Sequence, residues 1–343
     1  MNLYLTQDRI GTPTGGGAVT YHEYRALEVL GKANPVDNVR IPVNGDPFNS
    51  DQNFATSLEG VKDVQLTQIY AGCFTKTVKQ LRKAGSKVSY TAAAHSIDES
   101  RREFEGLGIP FNFPHLTVPD LWEKYVGGYK EADLVICPST LSRKCMESYG
   151  CKNVVVIPHG CEIPAEVKPL PKTFTVGYLG QAGPDKGLRY LFEAWRGLNQ
   201  KNAILLIAGN NIESALPLWR EFGGGNIEFM GFIKNVSDFY DRISVYVQPS
   251  ATEGFGIEVL EAHAHAREVL CSDGAGACDL VPSSNVFHAR KVGEIAALIE
   301  ARQADVKKTE SEGLARRAEA AAYTWEKIRA KYVEAWNGLL APV

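Results

Sequence analysis

Residues 245–262 read Val-Tyr-Val-Gln-Pro-Ser-Ala-Thr-Glu-Gly-Phe-Gly-Ile-Glu-Val-Leu-Glu-Ala, the pattern of a β-strand, a tight loop and a helix. β-Branched and aromatic residues precede Gln248, two glycines occupy the loop, and a helical pattern begins near Ile257. In parallel α/β sheets, ligands bind beyond the carboxyl ends of the strands, where such a loop lies. The stretch therefore predicts a parallel α/β fold with a ligand site at this loop.

Short β-rich runs alternate with amphipathic stretches along the whole chain, and the run at 203–208 is continuously apolar, as in parallel strands covered on both faces. This alternation predicts an α/β fold of doubly wound parallel sheets. Strands are predicted at 2–6, 38–43, 66–71, 87–94, 134–138, 153–158, 173–180, 203–209, 227–232, 245–250, 268–273 and 285–289. Helices are predicted at 18–31, 74–84, 98–107, 118–131, 140–149, 188–199, 213–223, 257–266, 291–303, 309–322 and 324–340.

A proline-rich segment at 163–172 marks the predicted domain boundary, because three prolines in ten residues favour a stiff, extended connector. About six strands lie on each side of it. We therefore predict two Rossmann-like domains, 1–163 and 164–323, facing a central cleft. The final helix, 324–343, is predicted to pack back on the first domain.

Composition excludes several classes of protein. The chain has 343 residues, of which 44% are hydrophobic and 22% are charged, and its formal net charge is −3. These values predict a soluble globular protein with no overall field to attract nucleic acid. The sequence shows no membrane-span-length apolar run and no signal-peptide pattern, and its seven cysteines form no Cys-x-x-Cys pair. We therefore expect a cytoplasmic protein with reduced cysteines.

The loop at 253–256 has the chemistry of a sugar–phosphate site. Gly254 and Gly256 allow close approach of a ligand, and the N-terminus of the following helix favours a phosphate or diphosphate. Glu253 would accept hydrogen bonds from sugar hydroxyls, and Glu261, further along the helix, would accept them from a second diol. Taken alone, the pattern fits an ordinary glycine loop and a solvated helical glutamate equally well.

In context, the segment from Glu253 to Ala262 resembles the E-x7-E signature of retaining glycosyltransferases with the GT-B fold, above all glycosyltransferase family 4. Other segments resemble further motifs of that family, in matching order and spacing. They are the glycine loop Gly15-Gly16-Gly17, the strand-end histidine His95, and the segments 132–139, 156–160, 176–187, 229–232 and 323–326.

The resemblance implies a role for each matching residue. His95, Glu253 and Lys186 would be catalytic: His95 beside the reacting carbon, Glu253 on the transferred sugar and Lys186 on the leaving diphosphate. Residues on the donor would be Gly15, Gly16, Gly17, Gly180, Gln181, Lys186, Gly231, Phe232, Glu253, Gly254, Phe255, Gly256, Ile257 and Glu261. Among them, the amides of 255–257 would hold phosphate, Glu261 the ribose, and 231–232 the base.

Two features bear on the charge of this site. Gln181 stands where the family has a diphosphate-binding arginine, and Arg189 is near enough in sequence to substitute for it. No Asp-x-Asp occurs in the chain, which argues against a metal-bound diphosphate. We therefore predict no metal and no cofactor, with the nucleoside diphosphate sugar as a substrate.

Other polar residues have more ordinary interpretations. His95 also fits a hydrogen-bonded strand-end histidine, and His263 and His265 are expected in surface or packing positions rather than on a metal. The helix with Lys76, Lys79 and Arg82 on one face is expected to be solvated. Its alternative is weak peripheral contact with anionic lipid at the inner face of the membrane, beside a lipid-linked acceptor.

The sequence thus predicts a retaining, metal-independent hexosyltransferase that moves a sugar from a UDP- or GDP-linked donor to a hydroxyl of a glycan, glycolipid or small-molecule acceptor. Two alternatives stay open. One is a nucleotide-sugar epimerase of the same fold, against which the glutamate pair argues. The other is a catalytically weakened nucleotide-sugar-binding protein, which is suggested only by Gln181 at the position of the family's arginine.

Overall fold

The structure is a computed structural model that describes residues 1–6, 10–11, 15–36, 47–72, 74–92, 94–198, 200–210 and 215–342. The chain divides into two compact units. The first unit consists of Met1–Ala94, Asn112–His159 and Trp325–Val343, and the second of His95–Phe111 and Gly160–Thr324. The segment His95–Phe111, which the proline-rich boundary had assigned to the first domain, therefore belongs to the second unit.

Strands alternate with helices along most of the chain, as the sequence predicts. The strands are β1 Asn2–Thr6, β2 Ala33–Val36, β3 Leu66–Tyr70, β4 Lys87–Thr91, β5 Leu134–Cys137, β6 Val154–Val156, β7 Phe174–Leu179, β8 Ala203–Ala208, β9 Ile227–Gly231, β10 Val245–Gln248, β11 Glu268–Ser272 and β12 Val286–Phe287. The helices are α1 Gly15–Val29, α2 Pro47–Ser57, α3 Thr75–Lys83, α4 Ile97–Gly106, α5 Pro114–Thr117, α6 Pro119–Glu131, α7 Thr140–Ser148, α8 Leu188–Leu198, α9 Ala215–Phe222, α10 Ser237–Tyr240, α11 Ile257–Ala264, α12 Val292–Ala304, α13 Val306–Ala320 and α14 Trp325–Leu340.

The first unit is built on a parallel sheet with the strand order β2-β1-β3-β4-β5-β6. Its central strands β1 and β3 are buried along their whole length, as expected for strands with both faces covered. The last helix, α14, packs against this sheet. Its Trp336 is fully buried and donates a hydrogen bond from Nε1 to Oγ of Ser89 in β4, at 3.0 Å.

The second unit has a parallel sheet with the order β12-β11-β10-β7-β8-β9. Two apolar clusters cover its two faces, one around Trp195 and Leu205, the other around Phe239 and Val259. The chain winds outward from β7 in one direction through β8 and β9, and in the other through β10, β11 and β12. The strand order therefore reverses between β7 and β10, and in such sheets ligands bind at that reversal.

The prediction of an α/β fold with two doubly wound parallel sheets is confirmed. The strand expected at 38–43 lies outside the described residues, and strand β2 occupies Ala33–Val36. Helices α2, α5 and α10 were not predicted. The sequence at the start of α2, Pro-Phe-Asn-Ser-Asp-Gln-Asn, is rich in residues that favour turns, and α5 and α10 are only four residues long. Among the helices of the described residues, none combines the length and the apolar character that spanning a membrane requires.

Candidate active site

Two loops meet at the strand-order reversal of the second unit: 180–187 follows β7, and 249–256 follows β10. The backbone N–H of Ala251 donates to the carbonyl oxygen of Asp185 at 2.8 Å. Gly187 has φ +72°, and a Cβ atom placed there would lie 2.0 Å from the carbonyl oxygen of Pro249. A glycine is therefore required at 187 for the first loop to lie against the second.

The contact between the loops brings Lys186 and Glu253 together in an ion pair. Their side chains are 23% and 22% exposed. Burial alone would raise the pKa of Glu253, but the charge and hydrogen bond of Lys186 outweigh burial and lower it. Burial likewise opposes the charged form of Lys186, and the charges of Glu253 and Asp185 outweigh it, so the pKa of Lys186 is raised. Both groups are therefore ionised at neutral pH.

The backbone around Glu253 is fixed on both sides. Its N–H donates to the carbonyl of Gly274 at 2.9 Å, and its own carbonyl accepts from Gly276 at 3.0 Å. Phe255 is 4% exposed and anchors the loop in the apolar core. Gly256 then adopts φ +94°, a conformation that favours glycine, and α11 begins at the next residue.

Two further glutamates follow on α11. Burial, reinforced by the charge of Glu253, raises the pKa of Glu258 to about 7. Burial, reinforced by Glu258, raises the pKa of Glu261 to about 8, and the hydroxyl of Tyr240 donates to Oε2 of Glu261 at 3.1 Å. At neutral pH Glu261 is therefore largely protonated, and its carboxyl group can donate as well as accept a hydrogen bond.

His95 belongs to the same unit as these residues. Burial lowers the pKa of His95, against the opposing effect of the negative charges of Glu253 and Asp185. The next residue, Ser96, donates its backbone N–H to Oγ1 of Thr252 at 3.1 Å. The structure therefore brings together three of the predicted site residues, His95, Lys186 and Glu253.

The substitution of Gln181 for the family's arginine is not compensated by Arg189. Gln181 is exposed, and its backbone carbonyl accepts a hydrogen bond from Tyr178 Oη at 2.6 Å. The guanidinium of Arg189 instead stacks 4.5 Å from the ring centroid of Tyr190 and lies 3.6 Å from Glu103. The suggestion that Arg189 replaces the missing cation is wrong, because this side chain is engaged with α4.

The remaining predicted donor residues fall into two groups. In the second unit, Gly180 directly follows β7 and Gly231 ends β9, where Gly209 donates its N–H to the carbonyl of Gly231 at 3.0 Å. Phe232 follows with 56% exposure, free of the apolar core. Gly15, Gly16 and Gly17 form the first turn of α1 in the first unit rather than a loop before it.

The other histidines and the basic helix have structural contacts. His263 and His265 are 3% and 5% exposed, so they take packing rather than surface positions. In the first unit, Arg82 pairs with Asp133 at 3.2 Å, and Lys76 Nζ donates to Gln52 at 2.7 Å. Within the described ranges, no cluster of three or more His, Cys, Asp or Glu side chains is arranged to hold a metal ion.

Sequence analysis did not single out three residues of this site: Asp185, Thr252 and Glu258. Asp185 and Thr252 contribute backbone and hydroxyl contacts, which leave no recognisable spacing in the sequence. Glu258 was visible as a third carboxylate inside the E-x7-E segment. The predicted helix at 257–266 already placed Glu258 in its first turn, and the structure adds that the negative charge of Glu253 raises the pKa of Glu258.

Comparison with known sequences places the similarity in the second unit. Residues 173–305 match the family described as Glycosyl transferases group 1. The capsular polysaccharide biosynthesis glycosyltransferase CapM of Staphylococcus aureus is 30% identical over 143 residues, which are 39% of this chain and 37% of CapM. The chain spans less than half the length of the curated relatives it matches. The similarity to glycosyl transferases group 1 covers residues 173–305, which lie in the second unit.

Solved structures resemble the chain over almost its whole length. Sucrose-phosphate synthase from Thermosynechococcus elongatus has a TM-score of 0.80 at 17% identity, covering 98% of both chains. HepE of Anabaena, solved in complex with UDP-glucose, has a TM-score of 0.74 at 16% identity, covering 98% of this chain and 100% of HepE. At this identity the likeness shows the fold, which is GT-B.

Proposed function

We propose that the protein is a retaining glycosyltransferase that moves a hexose from a nucleoside diphosphate sugar to a hydroxyl of a glycan, lipid-linked or small-molecule acceptor. The Lys186–Glu253 ion pair carries the proposal. It lies at the strand-order reversal of the second unit, next to the N-terminus of α11. A cation for diphosphate, a carboxylate for sugar hydroxyls and a helix N-terminus for phosphate are the groups that such a donor requires.

In this reaction the bond between the anomeric carbon and the diphosphate oxygen breaks as the acceptor oxygen attacks. Negative charge develops on the leaving diphosphate, where Lys186 and the first turn of α11 stabilise it. Glu253 holds hydroxyls of the transferred sugar, and His95 donates to the sugar near the reacting carbon. The acceptor's proton passes to a donor phosphate oxygen, so no side chain has to act as a strong base.

The retaining outcome and the independence of metal are parts of the same proposal. Retention follows from the resemblance of residues 253–262 to the E-x7-E signature, and the anomeric configuration of the product by NMR tests it. Metal independence is supported by the absence of Asp-x-Asp from the chain and by Lys186 as the cation for diphosphate. The name of CapM supports a glycan acceptor.

The first test is thermal unfolding of the protein with UDP, GDP, ADP and their common sugar conjugates, with and without EDTA. A ligand present at a hundred times its Kd stabilises the folded state by about 2.7 kcal/mol. We expect one nucleotide to raise Tm selectively and EDTA to leave the shift unchanged. A shift that EDTA removes would overturn metal independence, and no shift with any nucleotide would overturn the donor site.

A second candidate is a nucleotide-sugar-binding protein that does not turn over its ligand. The uncharged, exposed Gln181 favours it, because Arg189 does not supply the missing charge. The two functions differ in one measurement. Release of nucleoside diphosphate from the stabilising sugar nucleotide, in the presence of acceptor or of water alone, supports the transferase. Binding without any release supports the binding protein.

A further inference from the structure

Helix α4 is held to the second unit through a buried carboxylate. Glu103 is 1% exposed, yet it lies on a helix whose flanking residues are mostly polar. Its Oε1 accepts from Nε of Arg290 at 2.6 Å, and its Oε2 accepts from Tyr190 Oη at 2.9 Å. Arg189 lies 3.6 Å from the same carboxylate. A buried charge is tolerated only with such partners, so the set is specific for this placement of α4.

Arg290 contributes more than one contact and occupies an unfavourable backbone conformation. Its guanidinium also pairs with Glu99, one turn before Glu103 on α4. Its φ is +71°, in the left-handed region that a residue with a side chain adopts at a cost of about 1–2 kcal/mol. A glycine would relieve that cost but could not reach α4. The guanidinium therefore accounts for the presence of arginine at this position.

The N-terminus of α4, just before Glu99, is attached to the loop that carries the proposed catalytic carboxylate Glu253. The hydroxyl of Ser96 caps the helix by accepting from the N–H of Glu99 at 3.3 Å. The backbone N–H of Ser96 donates to Oγ1 of Thr252, which is 2% exposed and directly precedes Glu253. His95 is the residue before Ser96. Its position therefore depends on how α4 is seated.

We propose that Arg290 and Glu103 are positioning residues, which seat α4 on the second unit and thereby hold His95 beside Glu253. Neither residue touches the donor in this proposal, which rests on the proposed glycosyl transfer. Rate is sensitive to such placement, since a displacement of about 1 Å at a reacting centre can cost roughly 100-fold. Donor binding through Lys186 and α11 does not require α4.

The main test is Arg290→Gly in the full-length protein. This variant removes the guanidinium and relaxes the backbone at the same time, so loss of stability from strain is avoided. We expect kcat for nucleoside diphosphate release to fall about 10- to 100-fold. We expect KM for the donor and Kd for the free nucleoside diphosphate to stay within about threefold. Arg290→Lys keeps the charge but cannot contact Glu99 and Glu103 at the same time. Its kcat should lie between those of the wild type and Arg290→Gly.

Glu103→Gln is the second variant, because it keeps a side chain of the same shape against Tyr190 while removing the charge. If the two residues act as a pair, the double variant Arg290→Gly/Glu103→Gln should be no slower than Arg290→Gly alone. Arg242→Met is the matched control. Arg242 pairs with Glu228 at 2.8 Å on the exposed surface of the same unit, and its loss should leave kcat unchanged.

Two readouts that do not depend on turnover complete the test. Amide hydrogen exchange along α4 should accelerate in Arg290→Gly and not in Arg242→Met. The pKa of His95, followed by NMR and assigned with His95→Gln, should rise toward its ordinary value as burial is lost. If α4 exchange and the His95 titration stay as in the wild type, or if kcat is unchanged, the positioning role is wrong.

These outcomes are separable from failure of the proposed function. If the wild type binds no nucleotide, the donor site is wrong, whatever α4 does. If the wild type releases nucleoside diphosphate and Arg290→Gly retains full kcat, only the positioning role fails.

Discussion

Lys186 and Glu253 stand 67 residues apart in the chain and form an ion pair at the carboxyl ends of β7 and β10. Each side chain neutralises the other. Lys186, which is proposed to bind the diphosphate, and Glu253, which is proposed to bind the sugar, are therefore bound to each other when no donor is present. A donor that binds here must exchange this contact for contacts of its own. The energies of binding the nucleotide part and the sugar part are therefore linked through one pair of side chains.

The first prediction concerns Glu253→Gln. Removing the carboxylate frees the charge of Lys186, so the affinity for the free nucleoside diphosphate should rise, by roughly 3- to 10-fold. Transfer should fall at least about 100-fold, because the sugar loses its charged acceptor. Isothermal titration measures the first quantity and nucleoside diphosphate release the second.

Lys186→Met provides the opposite case. It should weaken binding of the nucleoside diphosphate and slow transfer together, since hydrogen bonds to charged groups contribute about 1.5–3 kcal/mol. If Glu253→Gln also weakens nucleoside diphosphate binding, Glu253 does not compete with the diphosphate for Lys186, and the interpretation of the ion pair is wrong.

The second prediction concerns Gly187, the glycine that allows the loop 180–187, which carries Lys186, to lie against Pro249. Gly187→Ala places a Cβ atom 2.0 Å from a carbonyl oxygen at φ +72°. We expect it to lower the free energy of unfolding by about 2 kcal/mol or more and Tm by roughly 4–8 °C. Nucleoside diphosphate affinity should fall with it, because Lys186 is displaced.

Gly197→Ala is the matched control for that experiment. Gly197 lies in α8, and a Cβ atom there would meet nothing within 4 Å. The substitution should be neutral or slightly stabilising, as expected for alanine in a helix. Equal loss of stability in both variants would show that the contact with Pro249 is not what requires glycine.

The fold and much of the site were accessible from the sequence because they depend on local patterns. The parallel strands appear as apolar runs, and their boundaries follow from the glycine and proline residues beside them. Glu253 and Glu261 were singled out by their places in the loop and the helix that follow a predicted strand, and Lys186 by the resemblance of residues 176–187 to a motif of the family. Residues of that kind can be located before the tertiary structure is known.

Contacts between distant segments were not accessible. No local pattern indicates that Arg189 turns toward Glu103, and so a role at the diphosphate was wrongly allowed for Arg189. The seating of α4 on the second unit depends on Arg290, 187 residues away from Glu103. A helix that follows a strand of one unit and packs on the other departs from the rule that consecutive elements are neighbours.

The third prediction is a pH dependence of stability due to Glu261. Burial and Glu258 raise the pKa of Glu261 from 4.5 to about 8. The folded protein thus keeps a proton that the unfolded chain releases, so the free energy of unfolding falls as pH rises from about 4.5 to 8. Glu261→Gln removes this effect. At pH 9 the variant should have a higher Tm than the wild type, by roughly 2–4 °C for each kcal/mol by which its free energy of unfolding is larger. At pH 5 the difference in Tm should be much smaller.

Glu300→Gln serves as the control for that pH series, because Glu300 is an exposed carboxylate on α12. Its effect on Tm should be small and equal at pH 5 and pH 9. A gain for Glu261→Gln that is equally large at both pH values would indicate improved packing and not the loss of a titrating group.

The last prediction concerns Gln181→Arg, which restores the cation found at this position in the resembling family. Gln181 is exposed, so the longer side chain needs no buried space, and Arg189 is held by Glu103 and does not occupy the position. A guanidinium near the diphosphate should tighten nucleoside diphosphate binding by roughly 3- to 10-fold. This is less than the usual contribution of a hydrogen bond to a charged group, because water screens charges at an exposed site. Gln181→Met, which changes size without adding charge, should not. If Gln181→Arg weakens both binding and turnover, glutamine belongs to a working site of different shape. The alternative of a catalytically weakened nucleotide-sugar-binding protein then has no observation in its favour.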